Sequence, residues 1–379
     1  MKYRKFGKLG IERSAFGVGC MRFPKKKDEN GTETVDMELA KKIVYTAIEG
    51  GVNYIDTAYV YSDGQAEKIL GEILDGGRRE RVSIATKLPI WEVKEYDDMP
   101  RIFETELKAL RTDHIDFYLV HCLGREQWRR LEALGITRFL DSLKASGKIK
   151  YACFSFHDSY DAFEEILGAY DWDMCQIQFN YMDIDSQAGL RGLELAGSKN
   201  IPVVIMEGLL GGKLADVPES VRAVFDSYPE KRSPAEWGFR WLCNFPQVAT
   251  VLSGVTDVEM TRQNLEIFDK ADVGIMSREE LDIVARAREE YKKRMKIECT
   301  GCRYCMPCPR DVDIPGIFST WNGAFKYSDD VSGNRHYIEK IKAGGHGADK
   351  CVSCRLCMRK CPQGFDIPDM LRLADSELS

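Results

Sequence analysis

Short apolar runs alternate with amphipathic stretches along the first two-thirds of the chain. The runs are Ala15–Gly19, Tyr54–Ala58, Val82–Thr86, Phe117–His121, Tyr151–Phe154, Met174–Phe179, Val203–Met206 and Thr250–Ser253. They are rich in branched and aromatic residues, as buried strands are. Between them, Leu39–Ile48, Arg101–Leu110, Phe139–Ala145 and Gln187–Ala196 repeat apolar residues at helical spacing. An eightfold strand–helix alternation predicts an α/β fold in which a parallel sheet closes into a (β/α)8 TIM barrel. An open doubly wound sheet shares the alternation but carries a G-x-G-x-x-G turn after its first strand. Here the first run leads into Cys20-Met-Arg-Phe-Pro24, so the barrel is the better reading. Gly7-Lys-Leu-Gly10 predicts a short N-terminal hairpin, and the charged stretch Arg278–Met295 a helix that closes the barrel.

Composition changes the picture only in its cysteines. A barrel uses about 250 residues, and this chain has 379, with 13 cysteines. Cys20, Cys122, Cys153, Cys175 and Cys243 are scattered, whereas the other eight lie between Cys299 and Cys361. The division predicts a barrel over residues 1–275, a connecting helix over 276–298 and a metal module over 299–379 in a reducing compartment. The net charge of -6 gives no case for nucleic acid or an anionic membrane. No apolar run opens the chain or approaches the roughly 20 residues of a membrane span, so the expected location is cytoplasmic.

The eight clustered cysteines form two runs, Cys299-x2-Cys302-x2-Cys305-x2-Cys308-Pro309 and Cys351-x2-Cys354-x2-Cys357-x3-Cys361-Pro362. Three thiolates at this spacing wrap one four-iron cubane. In two-cluster ferredoxins the fourth cysteine of each run serves the other cluster. The expected ligand sets are therefore Cys299, Cys302, Cys305 and Cys361 for one [4Fe-4S] cluster, and Cys351, Cys354, Cys357 and Cys308 for the other. Zinc also accepts four cysteines, but its motifs present separated pairs. The gap before Cys308 is one residue shorter than in the bacterial run. Asp313-Ile-Pro and Asp366-Ile-Pro each predict a helix start after a cluster loop. With a long segment between the runs, the module resembles the mainly α-helical two-cluster ferredoxin-like domain of succinate dehydrogenase iron–sulfur subunits.

In the barrel, polar residues stand where strands end: Asp56 and Tyr61 in Asp56-Thr-Ala-Tyr-Val-Tyr61, Lys87 after Ala85-Thr86, and His121 closing Asp116–His121. The C-terminal ends of barrel strands carry the chemistry of barrel enzymes. Each residue alone has an ordinary structural reading. Together, in this order, they resemble the tetrad of the aldo-keto reductases, and the resemblance runs from about Tyr3 to Phe268, including Gly147-Lys-Ile149.

The resemblance implies hydride transfer between a nicotinamide cofactor, NADP(H) or NAD(H), and a small carbonyl or alcohol. Tyr61 would be the general acid, Lys87 would lower its pKa, Asp56 would hold Lys87 charged, and His121 would orient the carbonyl. It also implies cofactor contacts from Met21 after the first strand, from Ser155 and Gln176 to the carboxamide, and from Met206 at the ring. Gly208, Leu209, Gly211 and Lys213 would approach the pyrophosphate, and Ser253, Gly254, Gln263 and Asn264 the adenosine end. His157 stands where the family commonly has Asn. The basic residues that select a 2′-phosphate are replaced by Gly254 and Met260, with Arg262 out of register, so NAD and NADP both stay open.

Other readings are a flavin enzyme on the same fold, and an electron carrier whose barrel is only a scaffold. The clusters imply one-electron transfer, with a ferredoxin or flavodoxin as partner. A structural role for them rests on the expectation that so small an appendix could hardly bury a core of its own.

Overall fold

The computed structural model describes residues 1–27 and 31–379. Eight strands form one closed parallel barrel: β1 (Phe16–Gly19), β2 (Tyr54–Asp56), β3 (Ser83–Leu88), β4 (Ile115–Leu123), β5 (Ile149–Phe156), β6 (Met174–Gln178), β7 (Val203–Met206) and β8 (Val248–Ser253). Each pairs with the next, and β8 returns to β1. Helices fill the crossovers. In Met37–Glu49 the buried residues Ala40, Ile43, Val44, Ala47 and Ile48 make one stripe, and Asp36 caps the start by accepting from Leu39 N at 3.2 Å. Among the described residues no helix is long and apolar enough to cross a membrane.

Strand side chains alternate in and out, and this period sets the barrel interior. Tyr54, Ala85, Phe117, Leu119, Cys153, Met174 and Val204 share one buried cluster with Phe6 and Ala249. Phe6 belongs to the N-terminal hairpin of Tyr3–Lys5 and Glu12–Ser14; its ring lies 5.5 Å from Phe117 and 6.0 Å from Tyr54. The hairpin thus plugs the end of the barrel where the strands begin. Gly7 at its turn has φ +42°, and a Cβ there would fall 2.3 Å from Asn200 O, so only glycine fits.

The last compact part is a second unit made of Gly212–Pro234 and Glu279–Ser379, distinct from Met1–Gly211 with Ala235–Arg278. The helix Arg278–Lys293 therefore groups with the cysteine module, and so does a segment that lies inside the barrel sequence. Within this unit Arg232 reaches Glu280 at 2.5 Å with both side chains buried. Asp329 accepts from Arg294 Nη2 and from Glu219 N, each at 2.8 Å.

The unit does bury a core: Ile297, Val312, Ile314, Phe318, Trp321, Tyr337 and seven others are buried together. The expectation that it could not is corrected by the helices Ile314–Tyr327 and Ile367–Leu378, each of which buries one face. Both start the same way. Asp313 accepts from Gly316 N and Asp366 from Asp369 N, at 3.3 Å each.

Arg4 ties the plug to the barrel's last segment. Its guanidinium is buried and donates to Cys243 O at 2.6 Å, Val248 O at 2.9 Å, Ala271 O at 3.1 Å and Phe245 O at 3.3 Å. Arg4→Met leaves these carbonyls without donors and should cost about 3 kcal/mol. The check is the urea midpoint of barrel unfolding, which should fall; an unchanged midpoint would mean that the plug does not depend on Arg4.

Candidate active site

The site is the next layer of the barrel interior. Two residues beyond Tyr54, Ala85, Leu119, Cys153, Met174 and Val204 stand Asp56, Lys87, His121, Ser155, Gln176 and Met206. Period two turns each of them toward the axis at the C-terminal end of its strand. The alternation continues, but the residue type changes from apolar to polar in every strand but that of Met206.

Lys87 is the centre of this layer, with only 1% of its side chain exposed. Its ammonium has three donors. One goes to Asp56 Oδ1 at 2.6 Å, one to Thr57 O at 2.7 Å and one to Tyr61 Oη at 3.3 Å. Gln176 Nε2 donates to the other Asp56 oxygen at 3.0 Å. Burial pushes the Lys87 pKa down, but Asp56 and Tyr61 more than offset this and hold it above the usual value. The side chain is an ammonium at neutral pH.

Tyr61 lies just beyond β2, where Ser62, Asp63 and Gly64 all take positive φ. This tight reversal lets a residue five positions after Asp56 return to Lys87. The pKa runs against the sequence expectation. Burial pushes the Tyr61 phenol up by more than Lys87 pulls it down, and Asp56 adds to the rise. The phenol keeps its proton at neutral pH, and Lys87, which has no acceptor, does not engage that proton.

His121 stands edge-on to Tyr61, ring centroids 6.1 Å apart. Burial, with the Lys87 charge and His157 adding to it, pushes its pKa down to about 3, so the imidazole is neutral. Among the described residues its buried Nδ1 has no partner. The ring of Trp91 packs 5.2 Å from it and is 46% exposed, a wall between His121 and solvent.

The expected cofactor residues are spread along the same rim. Ser155 Oγ accepts from Cys122 N at 2.9 Å. His157 is exposed, and Gln187 and Glu207 act on its imidazole. Gly208 is buried, with Leu242 and Val251 where a Cβ would go, and Leu209 packs against Gly238. Ser253 Oγ accepts from Asn264 Nδ2 at 3.1 Å. Gln263 is exposed and donates to Glu259, and Met21 is 62% exposed. Lys213 falls in the second unit, its ammonium over the Tyr327 ring at 5.3 Å.

Three contributors escaped the sequence reading. Arg22 Nη1 donates to Gly211 O at 2.8 Å, and its stem packs on Gly254, so a guanidinium stands between two expected cofactor glycines. A lone Arg after a strand gave no signal of this. The Thr57 carbonyl is backbone and carries no residue-type signal. Trp91 follows Lys87 in sequence, but nothing marked its approach to His121.

A cavity of about 720 Å³ lies elsewhere. It lies where β3, β4 and β5 begin, around Ser83, Asp116 and Lys150. Asp116 there accepts from Lys150 at 2.7 Å, and from Arg79 and Ile84 N at 2.9 Å each. This is a paired structural network at the end of the barrel associated with stability.

In the second unit the cysteines line two cavities. Cys299, Cys302, Cys305 and Cys361 border one; Cys308, Cys351, Cys354 and Cys357 border the other, which also touches Cys305. Among the described residues no three metal-ligating side chains close on a point fit for a single ion. The two loops share one backbone pattern. Gly301 and Arg303 take positive φ, as do Ser353 and Arg355 at the matching positions. Asp311 and Gly364 do the same three residues after Cys308 and Cys361. Alternating φ signs turn successive N–H groups inward, the concavity that receives anionic iron–sulfur clusters. The thiol set and this backbone suit two cubanes. The peptide between Met306 and Pro307, in the shorter gap, is cis.

Comparison with known proteins agrees with both halves. Residues 15–286 match the model of the aldo/keto reductase family, and residues 298–367 that of the 4Fe-4S dicluster domain. The "Uncharacterized oxidoreductase YqkF" of Bacillus subtilis (strain 168) is 27% identical over 70% of this chain and 90% of its own length. Methylglyoxal reductase YeaE of Escherichia coli (strain K12) is 27% identical over 62% of this chain and 86% of its own. Aldo-keto reductase AKR11C1 from Bacillus halodurans, in its holo form, superimposes with a TM-score of 0.62 over 76% of this chain and 96% of its own, at 22% identity. Barrel and cysteine runs thus agree with the matches: this chain is an oxidoreductase that belongs to the aldo/keto reductase family and carries a 4Fe-4S dicluster domain.

Proposed function

We propose that this protein transfers hydride between a nicotinamide cofactor and a small carbonyl or alcohol, with Tyr61 as the general acid and base, and exchanges single electrons through two [4Fe-4S] clusters. The observation that carries the reading is the Lys87 ammonium bound to Asp56, the Thr57 carbonyl and Tyr61. A bound nicotinamide supplies or accepts the hydride at the carbonyl carbon. As negative charge builds on the carbonyl oxygen, Tyr61 donates its proton there. Lys87 stabilises the phenolate left behind, and Asp56 and Gln176 keep Lys87 in place. Neutral His121 offers a hydrogen bond to the same oxygen without competing as an acid. Trp91 would bound the substrate, and the names of relatives such as methylglyoxal reductase and glyoxal reductase favour small reactive carbonyls.

Ser155, Gln176, His157 and Met206 suit the nicotinamide end, Gly208, Leu209, Gly211 and Arg22 the pyrophosphate, and Ser253, Gly254 and Asn264 the adenosine. Lys213, Gln263 and Met21 are candidates by sequence position. For the clusters, the two bordering sets suit the ligand assignment Cys299, Cys302, Cys305, Cys361 and Cys351, Cys354, Cys357, Cys308. A four-iron cluster passes one electron at a time. The module's own apolar core favours electron transfer over a purely structural role, since the fold does not depend on metal alone to exclude water.

Tyr61→Phe should lower carbonyl turnover by about 10² to 10⁴-fold while nicotinamide affinity, read by fluorescence quenching, stays within about twofold. Full turnover in this variant would end the proposal. Lys87→Met leaves Asp56 charged and unpaired in the interior and should cost about 3–5 kcal/mol of stability. Adding Asp56→Asn should restore most of the stability but none of the activity, separating the structural role of the pair from its chemical one.

The pH dependence follows from the same groups. Tyr61 is protonated below its raised pKa, so carbonyl reduction should be flat through neutrality and fall only on the alkaline side of about 10. Alcohol oxidation, which needs the phenolate, should rise over that range. His121, neutral down to about 3, should add no inflection near pH 6.5. An inflection there that disappears in His121→Gln would contradict the neutral imidazole.

Anaerobic reconstitution should give about eight irons per chain. Cys354→Ser should remove or convert one cluster and leave the barrel's circular dichroism unchanged. Stoichiometric zinc without iron after anaerobic purification would refute the assignment.

A further inference from the structure

The two cluster loops share a backbone but not a surface. From Lys350 to Phe365 the second loop holds Lys350, Arg355, Arg359 and Lys360 and no acidic residue, in a chain of net charge -6. All four are exposed, and among the described residues none forms an ion pair. Arg355 and Lys360, with Arg310, line the cavity bordered by Cys308, Cys351, Cys354 and Cys357, and no acid does. The other cavity has one cation at its edge, Arg303.

Aliphatic exposure follows the same asymmetry. Val352 is 58% and Leu356 46% exposed, on either side of exposed Cys354. The positions matching them in the first loop are Thr300 and Tyr304, so that loop exposes one aromatic ring, Tyr304 at 65%, but no aliphatic pair. An aliphatic pair ringed by unpaired cations is the pattern of a transient docking surface for an acidic protein: the charges steer the encounter, and the apolar centre sets the closest approach.

We propose that the surface of Val352, Arg355, Leu356 and Lys360 is the port at which a small acidic ferredoxin docks and exchanges electrons with the cluster of Cys308, Cys351, Cys354 and Cys357. This rests on the two-cluster reading above. The step is a single electron transfer. The reduced ferredoxin loses one electron, the cluster gains it, and no bond or proton moves. That balance favours a ferredoxin over a flavodoxin. A ferredoxin is a one-electron cluster protein like this module, so the exchange is complete with no change of protonation on either side.

The test uses the full chain, anaerobically reconstituted, mixed in stopped flow with a dithionite-reduced acidic two-cluster bacterial ferredoxin. Iron content and the electron paramagnetic resonance signal after dithionite give the cluster content, and rates are compared per cluster. Arg355→Glu with Lys360→Glu should slow ferredoxin-driven bleaching by about tenfold or more, and weaken binding of oxidised ferredoxin in calorimetry to match. Arg355→Gln with Lys360→Gln should move the same way by less, which guards against a loop disturbed by new charge. The reversal Arg303→Glu at the other cavity should cost less than about twofold. Raising salt from about 50 to about 500 mM should slow the wild-type rate by about tenfold, because exposed charges are screened. Wild-type rates in the double charge reversal, an equal loss in Arg303→Glu, or faster exchange with flavodoxin would each overturn the port. Absence of iron and of any signal with dithionite would instead overturn the cluster reading beneath it.

Discussion

A charged lysine inside a barrel is the constraint on which the site depends. Removing an ammonium and a carboxylate from water costs several kcal/mol each, and their attraction offsets this only when the geometry is good and the remaining polar atoms are satisfied. Lys87 meets both conditions. Its three donors have three acceptors, and the second oxygen of Asp56 is held by Gln176. The arrangement has a chemical consequence. An ammonium saturated in this way can touch the Tyr61 oxygen only as a donor, so the phenol's own proton has to point elsewhere. The structural requirement of a buried pair and the requirement of a directed acid in the proposed mechanism would be met by the same bonds.

The barrel and its site were legible because period two does double service. The apolar members of each strand build one layer, and the residue two positions later lands at the mouth. Asp56, Lys87, His121, Ser155, Gln176 and Met206 follow that rule from six strands. What was not legible is whatever depends on distance rather than register. Arg22 reaches Gly211 from a loop far away in sequence, and Trp91 finds His121 through a turn after β3. The sign of the Tyr61 shift also lies outside a pattern. A neighbouring lysine argues for a lower pKa, and only the degree of burial shows that desolvation outweighs it.

The cysteine module shows the same division. Its motif named the thiols that border the two cavities, and the two Asp-Ile-Pro phrases named the helix starts. The shared signs of φ at Gly301, Arg303, Ser353 and Arg355 could not be read from residue types, since only one of the four is glycine. Non-glycine residues take that conformation at some cost. It recurs here at matching positions, where inward N–H groups face a cluster's charge. The membership of Gly212–Pro234 in this unit was equally hidden, because the buried Arg232–Glu280 pair joins residues far apart in sequence.

On the proposed function, the two halves would handle electrons in different units. Tyr61, as the proposed acid, would serve a reaction in which two electrons and a proton arrive at one carbonyl, and burial, which raises its pKa, keeps that proton available through neutrality. The module's second loop has cations and aliphatics but no proton carrier. Hydride and single-electron chemistry therefore make opposite demands on their surroundings: one needs a buried, hydrogen-bonded acid away from water, the other an exposed site that a partner can approach closely. On the proposed function, proton-coupled chemistry beside Tyr61 and Lys87 and electron exchange beside Cys354 would fall in two compact units, each with its own buried core.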